Sequence, residues 1–174
     1  YTLSNNSWVL VDKNGVTYTF GATVAGRQDD PSNPNRIFRW MLEESRDVHG
    51  NAVRYEYAKD QGQVYPSAIT YTWFEGVVSG FRVEFVRGTR PDRRTSYKAG
   101  FRVTTSDRIT NIVLKHNGIT ARSYTLMYDQ LDTTRSVLSS IIESGTSGSI
   151  TTTLPPIMFE YGSDPDVLTQ NSSV

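Results

Sequence analysis

The sequence predicts an all-β protein built of antiparallel strands, and three observations lead to this prediction. The β-branched residues Val, Ile and Thr account for 45 of the 174 residues, whereas Ala, Leu and Lys, which favour helices, account for 20. Branched and aromatic side chains fit a pleated sheet better than a helix. Apolar and polar residues alternate in short runs along nearly the whole chain, and turn-forming residues separate these runs. Such runs predict about 9–11 strands.

The first two runs predict a hairpin. Residues 8–11 and 16–20 are rich in β-branched and aromatic side chains, and Asn14-Gly15 lies between them. Asn and Gly both tolerate the positive φ angles of a type I′ turn, which commonly joins two antiparallel strands. We therefore expect a type I′ turn at Asn14-Gly15.

The remaining strands are predicted from the same alternation. Each run has an aliphatic or aromatic residue at every second position, which is the period of a sheet with one buried face. These runs are 37–42, 53–57, 69–73, 81–85, 123–128 and 157–161. Clusters of turn-forming residues lie at 29–35, 50–51, 117–118 and 144–149. No sustained helical period is present, so no helix is predicted.

Charge and composition exclude several classes of function. The 18 basic and 18 acidic side chains give a net charge of zero, so no overall charge attracts nucleic acid or an anionic membrane. The apolar runs are too short for a transmembrane helix. The absence of Cys excludes disulfides, thiolate zinc sites and Cys nucleophiles. We expect no nucleic-acid partner and no direct insertion of this segment into a membrane.

No catalytic or metal-binding motif is evident. His49 and His116 flank turns and belong to no nucleophile–base arrangement. Neighbouring carboxylates such as Asp29-Asp30 and Glu43-Glu44 point to opposite faces of a strand, so neither pair forms a two-carboxylate site by itself. The glycine-containing stretch 21–26 lacks the Lys and Ser/Thr of a phosphate-binding loop. We expect no enzyme activity, cofactor or metal; a β-rich hydrolase with carboxylates from separate strands is an alternative.

Two groups of side chains are candidates for binding. The stretch 81–108 has a surplus of basic residues and the stretch after 128 a surplus of acidic ones, for which exposed cross-strand ion pairs are the simpler interpretation. Arginine is nevertheless well suited to packed protein contacts. The candidate interface residues are Arg87, Arg90, Arg93 and Arg94. The aromatic residues Trp8, Trp40 and Trp73 alternate as core residues do, but they leave a stand-alone β-sandwich that binds glycans as an alternative function.

Ordered motifs resemble a known family. Residues 40–57 contain W-x-L, then D-x-x-G-N, then V-x-Y-x-Y, which resembles the repeat of RHS/YD-repeat proteins. The motifs around it are W-x-L-x-x-x-x-G-x-x-x-x-F-G at 8–21, Y-P-x-x-I-x-Y-T at 65–72, R-x-Y-x-L-x-Y at 122–128, S-x-L-x-S-I at 136–141 and L-P-P-x-x-F-x-Y at 154–161. In this order they are similar to the B component of bacterial insecticidal toxin complexes and to Salmonella virulence-plasmid B proteins, the SpvB/TcdB-like family.

The resemblance covers about residues 8–162 and implies a fold and a role. It implies an RHS/YD-like extended β-sheet or hairpin strip within a larger β-shell that encloses a toxic cargo. In such proteins the enzyme and the self-cleaving protease lie in other segments, so the resemblance assigns no catalytic residue here. It implies a secreted, non-catalytic structural segment whose partners are the rest of a larger parent chain and other toxin-complex subunits. We expect residues 1–174 to form one β-rich segment, with 163–174 as a polar tail or linker.

Overall fold

The structure is a computed structural model that describes residues 1–74, 77–130, 135–148 and 150–161. These residues form thirteen β-strands and no helix. Eleven strands make one antiparallel sheet, and the other two make a separate hairpin. The predicted all-β, antiparallel class is therefore confirmed. Within the described ranges, no helix is long and apolar enough to cross a membrane. The predicted tail at 163–174 lies outside the described residues.

The main sheet follows the chain order with one interruption. Its strands are β1 (Trp8–Val11), β2 (Thr17–Phe20), β5 (Leu42–Arg46), β6 (Ala52–Asp60), β7 (Gln63–Phe74), β8 (Val77–Ser96), β9 (Val103–His116), β10 (Ile119–Gln130), β11 (Ser136–Ser147), β12 (Ile150–Thr153) and β13 (Ile157–Met158). They are ordered β1-β2-β5-β6-β7-β8-β9-β10-β11-β12, and β13 also pairs with β11. The hairpin of β3 (Arg27–Asp30) and β4 (Asn33–Trp40) interrupts this order between β2 and β5.

The loop that joins β1 to β2 is closed by an aspartate side chain. Asp12 Oδ1 accepts the N–H groups of Asn14 at 2.8 Å and Val16 at 3.0 Å, while the Asp12 N–H donates to the Val16 carbonyl at 3.0 Å. Gly15 has a φ of 79°, and Asn14 is not among the residues with positive φ. The predicted hairpin forms, but the type I′ turn is wrong because Asp12 closes a longer loop.

The loop that joins β5 to β6 repeats this arrangement. Asp47 Oδ1 accepts the N–H groups of His49 and Asn51, both at 2.9 Å, and the Asp47 N–H donates to the Asn51 carbonyl at 2.9 Å. Gly50 supplies the positive φ, here 90°. The D-x-x-G motif is therefore a structural unit that occurs twice. In each copy the Asp side chain accepts two backbone N–H groups, in addition to the backbone bond from the Gly N–H to the Asp carbonyl, at 3.0 Å for Gly15 and 3.1 Å for Gly50.

Met41 divides one predicted strand between two sheets. The alternation over 37–42 predicts a single strand, but β4 ends at Trp40 and β5 begins at Leu42. The Met41 N–H donates to the Gly26 carbonyl at 2.7 Å, and its carbonyl accepts the Gly21 N–H at 2.9 Å. Met41 therefore pairs with the 21–26 loop, which redirects the chain from the hairpin into the main sheet.

Two predicted turn clusters are shorter than expected. Within 29–35, Asp29-Asp30 belongs to β3 and residues 33–35 belong to β4, so that only residues 31–32 form the turn. The turn is this short because Asp30 Oδ1 accepts hydrogen bonds from the N–H and the hydroxyl of Ser32. Within 144–149, residues up to Ser147 continue β11.

The β3–β4 hairpin lies against one end of the main sheet. Polar contacts hold it in place: Lys59 Nζ lies 2.5 Å from Asp29 Oδ1, Gln28 Nε2 donates to the Gly62 carbonyl at 3.0 Å, and Arg36 binds the 97–100 loop. Among the described residues, the buried apolar side chains are Ala52, Val64, Tyr65, Ala68, Phe101 and Val103. Most of the sheet outside this end is a single layer.

Candidate interaction surfaces

One face of the sheet carries a ladder of ion pairs that crosses β5 to β9. Glu44 binds Arg54 on the next strand, with 2.9 Å between Oε2 and Nε. Arg82 then binds Glu56 across the sheet at 2.6 Å and Glu84 on its own strand at 3.2 Å. Lys115 of β9 continues the ladder to Glu84 at 2.7 Å. These side chains line a groove of about 760 Å³.

The electrostatics of this groove do not favour acid catalysis. The hydrogen bond from Arg82 holds the pKa of Glu56 below its usual value, and the hydrogen bond from Lys115 does the same for the pKa of Glu84. A general acid of a hydrolase needs a raised pKa so that it is protonated at working pH. The ladder is therefore suited to a charged, hydrated surface.

On the opposite face of the sheet the middle strands carry apolar side chains, and no described element covers them. Tyr55, Ile69, Val83 and Leu114 lie opposite one another on four adjacent strands. Each is only half-buried. A sheet face of this kind is normally packed against another layer. We define these four residues as the apolar row.

An aromatic row runs beside the apolar row on the same face of the sheet, two residues away along β7, β8 and β9. The ring of Phe81 stacks on Tyr71 at 5.5 Å and on His116 at 4.5 Å between centroids. The predicted turn histidine His116 therefore belongs to this aromatic row, whereas His49 is in the D-x-x-G loop. Phe81 remains 40% exposed, so this part of the face also lacks a cover.

Both edges of the main sheet are open in the described residues. All four residues of β1 are exposed, from 45% for Trp8 to 63% for Val11. The opposite edge, 150–161, is exposed too, but it contains Pro155-Pro156. Proline lacks an N–H and commonly protects sheet edges from pairing. The β1 edge carries no such protection.

The four candidate interface arginines lie on β8 and divide into two groups. Arg87 pairs with Asp107 at 3.0 Å and lies over the Tyr65 ring. Arg90 also makes an internal ion pair, described below. Arg93 and Arg94 are exposed. The structure thus gives the first two arginines contacts within the sheet, and an interface role remains a prediction for all four.

Asp92 is the most strongly held carboxylate and was not singled out from the sequence. Arg90 donates to both of its oxygens, at 2.9 and 2.7 Å, and Ser136 donates its N–H at 2.9 Å and its hydroxyl at 2.8 Å. The Arg90 hydrogen bonds, followed by the Ser136 N–H, hold the pKa of Asp92 far below its usual value. The side chain is 1% exposed. Asp92 therefore links β8 to the start of β11.

The segment 90–93 bulges out of the β8–β9 ladder, and Tyr65 compensates for the gap. The register passes from Thr89 opposite Asp107 to Arg94 opposite Thr105. The Tyr65 hydroxyl accepts the N–H groups of Ser106 at 3.0 Å and Asp107 at 3.2 Å. Tyr65 is the first residue of the Y-P-x-x-I-x-Y-T motif. Its hydrogen bonds to the bulged strand pair explain why a Tyr stands at this position, which the alternation of apolar and polar residues does not reveal.

All three tryptophans make contacts within the chain, although Trp8 remains 45% exposed. The Arg54 guanidinium covers the Trp73 ring at 3.5 Å. Trp40 donates its Nε1–H to the Asn6 carbonyl at 2.7 Å, and its ring meets Trp8 edge to face at 6.0 Å. Trp8 is half-exposed, but it also contacts the Tyr1 ring at 5.0 Å. Among the described residues, no group of three or more potential metal ligands occurs.

Sequence comparisons place the first part of the chain with one family. Residues 2–72 match the family model SpvB, described as Salmonella virulence plasmid 65kDa B protein. The mono(ADP-ribosyl)transferase SpvB of Salmonella typhimurium (strain 14028s / SGSC 2262) is 34% identical over 55 residues, which are 32% of this chain and 9% of that protein. The protein of the same name from Salmonella dublin gives the same figures. The chain thus spans about a tenth of the length of these relatives.

Structural comparisons extend the likeness to most of the chain. A Photorhabdus luminescens Tc holotoxin pore structure has a TM-score of 0.79 at 19% identity and covers 92% of this chain and 10% of its own. The crystal structure of TcdB2-TccC3 has a TM-score of 0.78 at 19% identity, covering 89% and 10%. The N-terminal domain of effector protein SpvB from Salmonella typhimurium strain LT2 has a TM-score of 0.57 at 18% identity, covering 90% and 61%. The resemblance predicted from the motifs is therefore confirmed: residues 2–72 are similar in sequence to the SpvB family, and most of the chain shares its antiparallel β fold with segments of Tc toxins and of SpvB.

Proposed function

We propose that this chain is a non-catalytic wall segment of a secreted SpvB/Tc-toxin-like protein, and that the wall forms part of a β-shell around a toxic cargo. The observation that carries the proposal is the single-layer sheet with an uncovered apolar face and two open edges. A sheet of this form buries too little apolar surface to be complete alone. A larger wall supplies the missing neighbours.

The partners in this proposal are the remaining parts of a larger parent chain and other subunits of a toxin complex. The likeness of the fold to segments of Tc toxin structures supports this, because the matched chains are about ten times longer. The polar ladder and the apolar row give the two faces of the sheet different chemistry. Each face of the wall would therefore meet a different environment, and only the apolar face requires a protein layer.

The test compares one substitution in two contexts. Phe81→Lys places a charge beside the apolar row, and in the isolated chain the exposed position limits the loss of stability to about 1 kcal/mol. In the parent protein, where we propose that this face is covered, the same change buries an unpaired charge and costs several times more, about 3–5 kcal/mol. Denaturant unfolding measures both, and protease resistance of the cargo measures the integrity of the shell.

Val48→Lys is the matched control, because Val48 is an exposed apolar residue, at 65%, in a loop. Equal stability and equal cargo protection of the two variants in the parent would contradict the proposal. The mass of the native polypeptide gives an independent check. A parent of 19.6 kDa, the mass of this chain, would also contradict it.

A further inference from the structure

The outer side of β1 already carries the first bridge of a further strand. Thr2 and Ser7 form an antiparallel bridge in which the Thr2 N–H donates to the Ser7 carbonyl at 2.8 Å and the Ser7 N–H donates back at 3.3 Å. Residues 3–6 form the turn between them, with Asn6 at a φ of 50°. Ser7 is almost fully buried, at 2%. The chain thus makes a tight reversal immediately before β1.

The direction of the backbone groups places this bridge on the side of β1 that faces away from β2. The Asp12 N–H donates to the Val16 carbonyl across the β1–β2 hairpin, so it points towards β2. Backbone groups alternate in direction along a strand. The N–H groups of Val9 and Val11 therefore point outward, as does that of Ser7, which agrees with its bridge to Thr2.

Tyr1 extends the bridge by one residue. Because Thr2 is opposite Ser7, Tyr1 comes opposite Trp8, and the two rings are 5.0 Å apart. Beside them, a groove of about 480 Å³ is lined by apolar side chains that include Trp8, Phe20 and Phe38. The outer edge of β1 therefore offers free hydrogen-bonding groups next to apolar surface.

We propose that the strand that leads into Tyr1 in the longer wall pairs antiparallel with the outer edge of β1, in the register set by the Thr2–Ser7 bridge. The inference rests on the proposed function, which makes this chain one stretch of a larger wall. In this register the residue directly before Tyr1 lies opposite Val9 and the residue before that lies opposite Leu10. The residue opposite Leu10 would lie on the same face as Tyr1 and Trp8, so an apolar side chain fits there and would continue the contact that Tyr1 begins.

The edge itself favours this occupant over a second copy of the chain. A strand that arrives through the Thr2–Ser7 turn is already held in register, so its pairing costs little additional loop-closure entropy. A second copy has no such connection to β1, so its pairing would also cost the entropy of association.

The test extends the 174-residue chain by four residues before Tyr1. The extension Thr-Thr-Ile-Thr places Ile opposite Leu10, and Gly-Ser-Gly-Ser is the control of equal length. We expect hydrogen exchange at the Val9 and Val11 amides to be at least about tenfold slower with the first extension, because each gains a ladder hydrogen bond. The extension Thr-Thr-Ile-Pro removes the N–H that would donate to the Val9 carbonyl, and we expect it to lose most of this protection.

Equal exchange rates at Val9 and Val11 with the first two extensions would overturn the inference. Protection in the unextended chain that disappears on dilution would also overturn it, because a second copy would then occupy the edge. Both readouts are independent of the cargo-protection test in the parent protein. Failure of the proposed register and failure of the proposed wall function can therefore be told apart.

Discussion

At the scale of single residues, Asp92 illustrates how a buried charge connects distant parts of this sheet. Two of its four hydrogen bonds join the 90–93 bulge to Ser136, which lies 44 positions further along the chain. A carboxylate in such a site is stable only while its donors remain in place. Arg90 is itself mostly shielded, with 18% of its side chain exposed, so each member of the pair depends on the other.

Asp92→Asn is expected to lower the free energy of unfolding by about 2–3 kcal/mol, because it leaves the Arg90 charge without its partner. Urea unfolding at neutral pH measures this. Asp129→Asn, at an exposed position of β10, is the control and should change stability by less than about 0.5 kcal/mol. Equal midpoints for the two variants would mean that the ion pair contributes nothing to stability.

Sequence reasoning had no means of identifying Asp92. It lies in the basic run Arg90 to Arg94, where net charge draws attention to the arginines and a single acidic residue looks like a compensating surface charge. Its importance depends on Ser136, and no local pattern encodes that contact. In contrast, Asp47 belongs to the D-x-x-G-N motif, and its backbone partners His49 and Asn51 lie within four positions, so this contact is encoded locally.

At the scale of strands, the hydroxyl groups of three tyrosines form hydrogen bonds to the neighbouring strand beyond the point where backbone pairing ends. Tyr57 of β6 donates its hydroxyl to the Leu42 carbonyl of β5 at 2.6 Å, and Tyr128 of β10 donates to the Ile109 carbonyl of β9 at 2.7 Å. Tyr161, after β13, donates to the Leu138 carbonyl of β11 at 2.8 Å. Each of these tyrosines is the last Tyr of one sequence motif. The Tyr at this motif position therefore marks a hydrogen bond just beyond the last pair of residues joined by backbone hydrogen bonds.

Tyr57→Phe and Tyr128→Phe are each expected to destabilise the chain by about 1 kcal/mol, since each leaves a backbone carbonyl without its donor. The two sites are on separate strand pairs, so the double variant should lose about the sum, about 2 kcal/mol. Denaturant unfolding checks both points. Tyr97→Phe, at a 68% exposed side chain, is the control, and a loss equal to that of Tyr57→Phe would refute the interpretation.

Two hairpin turns provide a matched pair of glycines. Gln61-Gly62 and Asn117-Gly118 both have positive φ at each residue, and both glycines have a φ of 79°. A Cβ at Gly118 would meet nothing within 4 Å, whereas a Cβ at Gly62 would lie 2.8 Å from the Arg102 carbonyl oxygen. The two positions therefore share the same backbone strain but differ in crowding.

Gly118→Ala is expected to cost about 1–2 kcal/mol from the left-handed conformation alone. Gly62→Ala should cost at least about 1 kcal/mol more, because a rigid backbone atom must move. Thermal and urea unfolding of both variants measure the difference. If the two substitutions cost the same, the approach of the 101–103 segment to this turn does not constrain the fold.

The same scale shows where alternation predicts strands and where it fails. The period-2 pattern depends only on the two faces of a strand, so it identifies β1, β6 and β7 from local sequence. It fails at Met41, where the pattern continues unbroken from β4 into β5 although the two strands belong to different sheets. That division depends on hydrogen bonds to Gly21 and Gly26, and these are tertiary contacts that no alternation records.

At the scale of the whole molecule, acidic conditions should destabilise the fold. Hydrogen bonds lower the pKa of several carboxyl groups in the folded state, namely Asp30, Asp47, Glu56, Asp60, Glu84 and Asp92. The unfolded chain binds protons at these groups near pH 4 and the folded chain only at lower pH. The unfolded state therefore takes up more protons as the pH falls, which favours unfolding.

We expect these groups to leave the free energy of unfolding unchanged above about pH 5 and to lower it progressively below about pH 4. Urea unfolding from pH 7 to pH 3 tests this. The difference between the original chain and Asp92→Asn should narrow over the acidic part of this range, because Asp92 takes up a proton near pH 4 in the unfolded chain but stays ionised in the folded one, which favours unfolding of the original chain alone. A difference that widens towards pH 3 would reverse the sign of the argument.

The position of the two open edges has a mechanical consequence. The chain enters the main sheet through β1 and, within the described residues, leaves it beside β11 through β12 and β13 at the opposite edge. A force that pulls the two ends apart would therefore act across the strands and load their hydrogen bonds one pair at a time, so that the sheet peels from its margins. The long β8–β9 pair lies in the middle of the strand order and would be among the last to separate.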